Sequence, residues 1–213
     1  AIRDRCAPYY GEPILLADNG AWCWFSDPRA VSHKGTVYTG WVTNTGDITV
    51  GALDTESMHL QKVVIHEQLQ ADDHTNPSLL IRPDGRLVVF YSKHGGDKMY
   101  IRVSKNPYDI SEWSPVIHPE FDHPESGICY TNPAQLSGEK NRIYLFWRGI
   151  DWKPTFAVSD DGGQTWSDDR KLIESSGARP YVKVVSDGKN RIHFAFTDGH
   201  PRKRAKNSIY YMV

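Results

Sequence analysis

Short segments of alternating apolar and polar residues recur along the chain, separated by turns rich in glycine, asparagine and aspartate. The clearest pair lies within residues 78–91, where the turn Arg82-Pro83-Asp84-Gly85-Arg86 joins two alternating segments. Proline fixes one φ angle and glycine accepts the positive φ that a tight reversal needs. The pattern therefore predicts a β-hairpin.

The same hairpin pattern occurs four times, each time beginning near a proline: Pro28, Pro77, Pro133 and Pro180. These prolines are 49, 56 and 47 residues apart (77 − 28, 133 − 77, 180 − 133), close to the period of a β-propeller blade, roughly 40 to 50 residues. A third alternating segment follows each hairpin, and a fourth is visible in three repeats. We therefore predict an all-β fold, a β-propeller of four-stranded antiparallel blades.

The predicted blades cover approximately residues 20–67, 71–118, 127–174 and 177–213, within a single domain of residues 1–213. The fourth repeat reaches the end of the sequence inside its third strand, and the chain does not begin with Met. Because a propeller must close to protect its edge strands, we expect these residues to be part of a larger ring in a longer protein.

Composition adds few constraints. The chain has 213 residues, 39% hydrophobic residues and a formal net charge of −1, which is ordinary for a globular protein. Its basic tract Arg202-Lys203-Arg204 is interpreted as a solvated loop, so nucleic acid is not an expected partner. No apolar run approaches the roughly 18 residues of a membrane span.

The three cysteines, Cys6, Cys23 and Cys129, have no metal-ligand spacing. We interpret Cys23 and Cys129 as small buried residues, with a disulfide as the less favoured alternative. The stretch Ser159-Asp160-Asp161-Gly162-Gly163-Gln164-Thr165-Trp166 fits the Asp-box pattern of BNR-repeat propellers. Asp161 and Ser159 are expected to bond the backbone of a tight turn.

The start of the first strand and the end of the second strand lie at the same end of an antiparallel hairpin. The residues at those positions are rich in His, Tyr, Asn and Arg, and they lack the paired carboxylates of ordinary glycoside hydrolysis. Considered one at a time, each of these residues is more simply interpreted as having a structural role. A zinc site of His74, His94 and His200 is one alternative. The set comprises Arg29, Asn44, His74, Asn76, Lys93, His94, Tyr130, Asn132, Arg148, Arg179, Asp198 and His200.

Four segments, residues 22–31, 72–77, 91–95 and 197–201, resemble the BNR-repeat family that includes the propeller-type ulvan lyases. The resemblance runs from about Gly20 to Val213. It implies a seven-bladed propeller that cleaves a uronic-acid-containing polysaccharide by β-elimination, making the protein a carbon–oxygen lyase. By motif, the implied catalytic residues are His74, His94, Tyr130 and Arg148.

β-Elimination explains these residue types. Removing the C5 proton of a uronate builds negative charge on the carboxylate, which Arg148 and one histidine would neutralise. Tyr130, with a pKa lowered by neighbouring Arg and His, is predicted to act as base and acid, with His74 or His94 as an alternative base. The residues predicted to hold sulfate or carboxylate groups of the sugar chain are Arg29, Asn76, Lys93, Arg179 and His200.

We further expect a monomeric bacterial protein that is secreted or periplasmic, although this chain carries no signal peptide. Its expected partner is an anionic polysaccharide, with no catalytic cofactor or catalytic metal, while a structural metal ion has no assigned position. Two alternatives stay open: a propeller glycoside hydrolase acting on rhamnose–glucuronate linkages, and a non-catalytic carbohydrate-binding propeller. A sialidase is disfavoured because its arginine triad is not recognisable.

Overall fold

Fifteen β-strands form four antiparallel sheets within residues 13–123, 127–177 and 179–213, the part of the chain that the computed structural model describes. The described part contains no α-helix, which confirms the predicted all-β antiparallel class. The first sheet consists of β1 (Gly20–Ala21), β2 (Ala30–His33), β3 (Thr36–Thr43), β4 (Ile48–Asp54) and β5 (Leu60–His66). The second consists of β6 (Ser78–Ile81), β7 (Leu87–Ser92) and β8 (Met99–Val103).

The third sheet contains β9 (Cys129–Leu136), β10 (Arg142–Arg148), β11 (Pro154–Ser159) and β12 (Arg170–Lys171). The fourth contains β13 (Val182–Ser186), β14 (Ile192–Thr197) and β15 (Ile209–Met212). Short 3₁₀ helices lie at Asp73–Thr75, Ser137–Glu139, Ile150–Trp152 and Pro201–Lys203. None of the helices in the described residues has the length and apolar character that crossing a membrane requires.

The sheets contain five, three, four and three strands, instead of four strands each. The fourth strand predicted in the second repeat is reduced to an isolated bridge between Ile117 and Ile101. Pro115 and Pro119 flank that bridge, and each lacks the N–H that a longer ladder would use. Proline therefore limits this outer strand to a single pairing.

Each inner sheet buries both of its faces. In β7, Leu87 and Val89 pack with the first sheet, whereas the alternate residues Val88 and Phe90 pack with the third. Successive residues of a strand point to opposite faces, which produces this division. The strand β10 repeats the pattern: Ile143, Leu145 and Trp147 join the core shared with the second sheet, and Phe146 joins the core shared with the fourth. Three apolar cores therefore hold the four sheets in sequence order.

The first strands of the four hairpins, β2, β6, β9 and β13, line one shared cavity of about 1030 Å³. Its wall includes Ser32, Ile81, Gln135 and Ser186, one residue from each strand. The starts of these strands consequently lie near one another at one end of the cavity. This arrangement positions the candidate site.

The turn after β11 follows the predicted hydrogen-bond pattern. The Asp161 carboxylate accepts from the backbone N–H groups of Gln164 at 3.0 Å and Thr165 at 2.9 Å. The Ser159 hydroxyl accepts from Gly163 N at 2.9 Å. Trp166 packs edge-on against Phe90 of the second sheet, with ring centroids 6.0 Å apart. The motif is therefore structural and anchors the third sheet to the second.

Residues 22–29 leave the first sheet after β1, pass over the ends of the other first strands, and return at β2; we call them the crossing segment. Two asparagines preceding repeat prolines hold it: Asn76 Oδ1 accepts from Cys23 N at 2.8 Å, and Asn132 Oδ1 accepts from Asp27 N at 3.1 Å. Lys183 of β13 pairs with Asp27. The crossing segment thus connects the first sheet to the other three.

We predict that Asn132→Ala lowers the free energy of unfolding by about 2 kcal/mol or more, because two backbone groups lose their partner. The Asn132 amide also donates to Tyr130 O at 2.6 Å, and the residue is buried. Asn44→Ala is the matched control, since the Asn44 side chain makes only an exposed 3.4 Å bond, with Asn19, among the described residues. It should change stability by less than about 0.5 kcal/mol. Urea denaturation with equal m-values measures both, and equal effects would contradict the anchoring role.

Candidate active site

Asp72 sets the position of His74 through local turn chemistry. Its backbone is extended, and its carboxylate accepts from His74 N at 2.9 Å, capping the 3₁₀ helix Asp73–Thr75. Aspartate favours such turns because its short side chain reaches the backbone two residues on. His74 therefore lies close before β6, separated from it by residues 75–77, at the predicted end of the hairpin.

His94 follows β7, and the antiparallel pairing of β6 with β7 brings it beside His74. The two imidazole rings are parallel, with centroids 3.9 Å apart and an interplanar angle of 5°. Asp72 joins them: one carboxylate oxygen is 2.6 Å from His74 Nδ1 and the other is 2.9 Å from His94 Nδ1. A carboxylate accepts only, so each Nδ1 donates and each Nε2 of a neutral ring is left as an acceptor.

The Asp72 carboxyl group is ionised over the whole neutral range. Partial burial raises its pKa, but hydrogen bonds from His74 N and from both imidazole rings outweigh burial and lower the pKa to about 2. A pKa below the ordinary value means that the charged form is retained until the pH falls towards that value. Asp72 therefore remains an acceptor for both histidines.

Tyr130 occupies an irregular position in β9. The pairing of β9 with β10 shifts between Phe146 and Arg148, so that Tyr130 and Thr131 together oppose one residue of β10. Tyr130 has a φ of 64°, a left-handed conformation that is uncommon for a bulky side chain. Bulges of this kind re-aim side chains next to functional sites. Here the bulge directs the Tyr130 ring towards His74, with centroids 5.2 Å apart.

Burial dominates the electrostatics of Tyr130. The residue is 8% exposed, and Phe25 of the crossing segment packs on its ring at 5.3 Å. Desolvation raises its pKa above the ordinary tyrosine value and neighbouring Cys129 adds to this, while Arg148 opposes it. The expected lowering of the Tyr130 pKa is therefore wrong. The hydroxyl has no hydrogen-bond partner among the described residues.

Arg148 stacks its guanidinium carbon over the Tyr130 ring at 4.7 Å and over the Trp152 ring at 4.9 Å. Its Nε and Nη2 atoms are buried without a hydrogen-bond partner in the described part of the chain. Buried donors are normally paired, because an unpaired one costs about 1–3 kcal/mol. These N–H groups are therefore suited to an anionic ligand.

The structure thus brings His74, His94, Tyr130 and Arg148 together, as the sequence predicted, while their chemical roles stay predictions. The residues predicted to bind substrate fall into two groups, one that supports the scaffold and one that is accessible at the surface. Arg29 bonds to Cys23 O at 3.1 Å and lies 3.3 Å from an Asp27 oxygen, and Asn76 is buried beneath the crossing segment. Both hold the scaffold of the site. Lys93, Arg179 and His200 keep surface access, with Lys93 directly beside His94.

Three contributors were not predicted as site residues: Asp72, Phe25 and Trp152. Asp72 was recognisable in principle, since an aspartate side chain commonly bonds the backbone N–H two residues on, which here belongs to His74. Phe25 contacts Tyr130 although the two residues are more than a hundred positions apart in sequence. The position of Trp152 depends on the left-handed backbone conformation of Asp151 and of Trp152 itself. Cys23 and Cys129 are free and buried against Tyr130, as expected, whereas Cys6 lies outside the described residues.

The alternative of a zinc site made of His74, His94 and His200 is not supported, because the structure does not group these three histidines. Asp72, His74 and His94 offer ligand atoms that all lie within 4.8 Å of one another, and His200 is not in this group. Both Nδ1 atoms are occupied by hydrogen bonds to Asp72. The hydrogen bonds to Asp72 account for the parallel arrangement of the two rings.

Comparisons with known proteins agree with this architecture. An ulvan lyase of Nonlabens ulvanivorans is 27% identical over 188 residues, which cover 74% of this chain and 38% of that protein. An ulvan lyase of Alteromonas sp. (strain LOR) is 29% identical over 114 residues, 45% of this chain and 22% of that protein. The chain therefore spans less than half the length of the curated relatives it matches.

Among solved structures, a PL25 ulvan lyase bound to -[GlcA(1-4)Rha3S]- superimposes with a TM-score of 0.70 at 20% identity. The match covers 85% of this chain and 48% of that chain, and at this identity it supports the fold alone. The family model described as "BNR repeat-containing family member" matches residues 36–213. The chain therefore belongs to the BNR repeat-containing family.

Proposed function

We propose that this chain is part of a polysaccharide lyase that cleaves a uronic-acid-containing, ulvan-like polysaccharide by β-elimination. The observation that carries the proposal is the pair of buried Arg148 N–H groups that have no partner among the described residues, next to Tyr130, whose ring in turn faces His74. An arginine with two free donors is suited to bidentate recognition of a carboxylate. The ulvan lyase relatives support the same reaction class.

Arg148 neutralises the uronate carboxylate in this proposal. Removal of the C5 proton moves negative charge onto that carboxylate, and donors fixed in advance stabilise it most where water is excluded. The Arg148 guanidinium is held between Tyr130 and Trp152, so its orientation is set before the substrate arrives. His94, which is more exposed than His74, is placed to assist at the carboxylate.

His74 takes the C5 proton. Its Nδ1 lies 2.6 Å from an Asp72 oxygen and 2.7 Å from an Asp73 oxygen, so two carboxylates stabilise the imidazolium that forms. Its Nε2, on the other side of the ring, is the free acceptor. The carboxylates orient the base in the manner of a catalytic dyad.

Tyr130 protonates the leaving O4. Because burial raises its pKa, the phenol keeps its proton at neutral pH and is available as an acid. The C5–H bond breaks towards His74, the C4–O4 bond breaks as the C4=C5 bond forms, and O4 receives the Tyr130 proton. We thus assign the acid role to Tyr130 and the base role to His74, which the sequence predicted as an alternative base.

We further propose that the four sheets are blades of a larger β-propeller, seven-bladed by resemblance, and form one domain. The outer face of the fourth sheet supports this: Val185, Ile209 and Tyr211 are 64%, 81% and 67% exposed. An apolar sheet face of this kind is normally covered by a neighbouring layer. We also propose a secreted or periplasmic location and a monomeric state.

We predict that Tyr130→Phe lowers turnover on a uronate polymer by about 10² to 10⁴, the usual contribution of general acid–base catalysis. The ring and its packing stay in place, so stability should change by no more than about 1 kcal/mol. Unsaturated product is followed by absorbance near 235 nm, and the melting temperature reports folding. His74→Gln should cause a loss of similar size, since the base would be missing.

Tyr144→Phe is the matched control. It removes a hydroxyl bonded to Glu139 at 2.8 Å in the third sheet, outside the candidate site. Turnover should remain within about twofold of wild type, because this hydroxyl contacts no site residue. A fully active Tyr130→Phe variant would contradict the acid role, and a wild type that releases only saturated sugars would indicate a hydrolase.

The pH profile gives a separate prediction. A raised Tyr130 pKa keeps the proton donor intact to a higher pH than a free tyrosine, whose pKa is about 10. Between about pH 8 and pH 10, kcat/KM of the wild type should therefore stay level. If Tyr130 had to ionise to act as base, kcat/KM would instead rise about tenfold per pH unit over this interval. Circular dichroism at each pH checks that folding is unchanged.

A further inference from the structure

A second pocket lies beside the candidate active site and is lined by cationic groups. Its volume is about 300 Å³, and its walls come from the segment preceding β13 and from the connection between β14 and β15. We call it the basic pocket, and its lining residues are Gly177, Arg179, Gly199, His200, Lys203 and Arg204. The sequence assigned Lys203 and Arg204 only to a solvated loop. The structure places both with two residues predicted to bind substrate.

The basic pocket has no acidic lining residue. In the described part of the chain, the side chains of Arg179, Lys203 and Arg204 form no ion pair and no hydrogen bond. Asp198 lies in the same connection; hydrogen bonds from Ser208 and Tyr210 lower its pKa, and Arg204 adds a smaller contribution. Its carboxylate is already bonded to Ser208 N at 2.7 Å and to the Tyr210 hydroxyl at 2.8 Å. Clustered cations without counter-ions create a local positive potential that attracts anions.

His200 contributes a donor to this pocket. Its Nδ1 accepts a hydrogen bond from Arg202 N at 3.1 Å, so a neutral ring carries its proton on Nε2. The ring also packs edge-on against Tyr181, with centroids 5.6 Å apart. The tautomer and the ring position are therefore both set by neighbouring groups, and Nε2 remains as a donor.

Trp152 connects the basic pocket to the candidate active site. Arg179 stacks on its ring at 4.5 Å and Arg148 at 4.9 Å. Gly127 lies against the same ring, where an added Cβ would come within 3.2 Å of it. Trp152 thus fixes the distance between Arg148, which we propose binds the reacting uronate, and Arg179, which lines the basic pocket.

We propose that the basic pocket binds a sulfate ester of the sugar chain whose uronate occupies the candidate active site. The inference rests on the proposed function, since one sugar chain must occupy both the candidate active site and the basic pocket. A sulfate ester and a second uronate carboxylate share the same anionic chemistry. Three terminal sulfate oxygens can use donors from several sides, whereas a carboxylate presents two in one plane. Cationic side chains from two separate segments match the sulfate better.

The test compares a sulfated uronate polymer with the same polymer after chemical desulfation. The variant is Lys203→Gln/Arg204→Gln, which keeps side-chain length and removes two charges. On the sulfated polymer, KM should rise about tenfold with little change in kcat, because the lost interaction is equal in the ground and transition states. On the desulfated polymer, the variant and the wild type should have the same KM.

Arg202→Gln is the matched control, since Arg202 belongs to the same connection and is exposed, but does not line the pocket. It should leave KM on both polymers unchanged. An equal rise in KM for Arg202→Gln would show a diffuse charge effect and overturn the proposal. An equal rise for the double variant on both polymers would assign the pocket to uronate carboxylates instead, and would also overturn it.

Binding measured without cleavage separates this inference from the proposed reaction. Affinity gel electrophoresis on the two polymers, with the same variants, reports retardation by bound polysaccharide. If wild type releases no unsaturated product, the lyase proposal fails. Selective loss of retardation on the sulfated polymer by the double variant would still support the basic pocket. Unchanged retardation would overturn it.

Discussion

The inner sheets of this protein are apolar on both faces, and the rest of the architecture depends on burying both. A strand such as β7 sends Leu87 and Val89 to one side and Val88 and Phe90 to the other, and all four are fully buried. Such a sheet needs a neighbouring layer on each side. Face-to-face stacking in sequence order satisfies this need, and it places the four first strands beside one cavity. The candidate site occupies the common end of those strands.

Within that frame, one carboxylate organises the chemistry. Asp72 uses one oxygen for each histidine ring, and its low pKa keeps both bonds over the range in which histidine titrates. The two rings are parallel because they share an acceptor with two oxygens in one plane. Asp72 thereby turns two surface histidines from neighbouring strand ends into a fixed pair.

Features that depend on local sequence could be predicted, and features that depend on distant packing could not. The His74 and His94 pair follows from one hairpin, whose turn and strands are legible in consecutive residues. The environment of Tyr130 depends on Phe25, which the crossing segment brings over from the first sheet. No local pattern indicates that contact. The expectation of a lowered Tyr130 pKa counted the nearby charges and missed the desolvation that outweighs them.

The raised Tyr130 pKa also bears on the site once substrate is bound. Arg148 is the group that most opposes the rise, because a cation favours the phenolate. A uronate carboxylate bound to the free N–H groups of Arg148 would offset that positive charge and exclude water from the ring. Both changes disfavour the phenolate further. Substrate binding would therefore keep the proton on Tyr130 until negative charge develops on the leaving O4, and it would leave the C5 proton to the histidine that two carboxylates support.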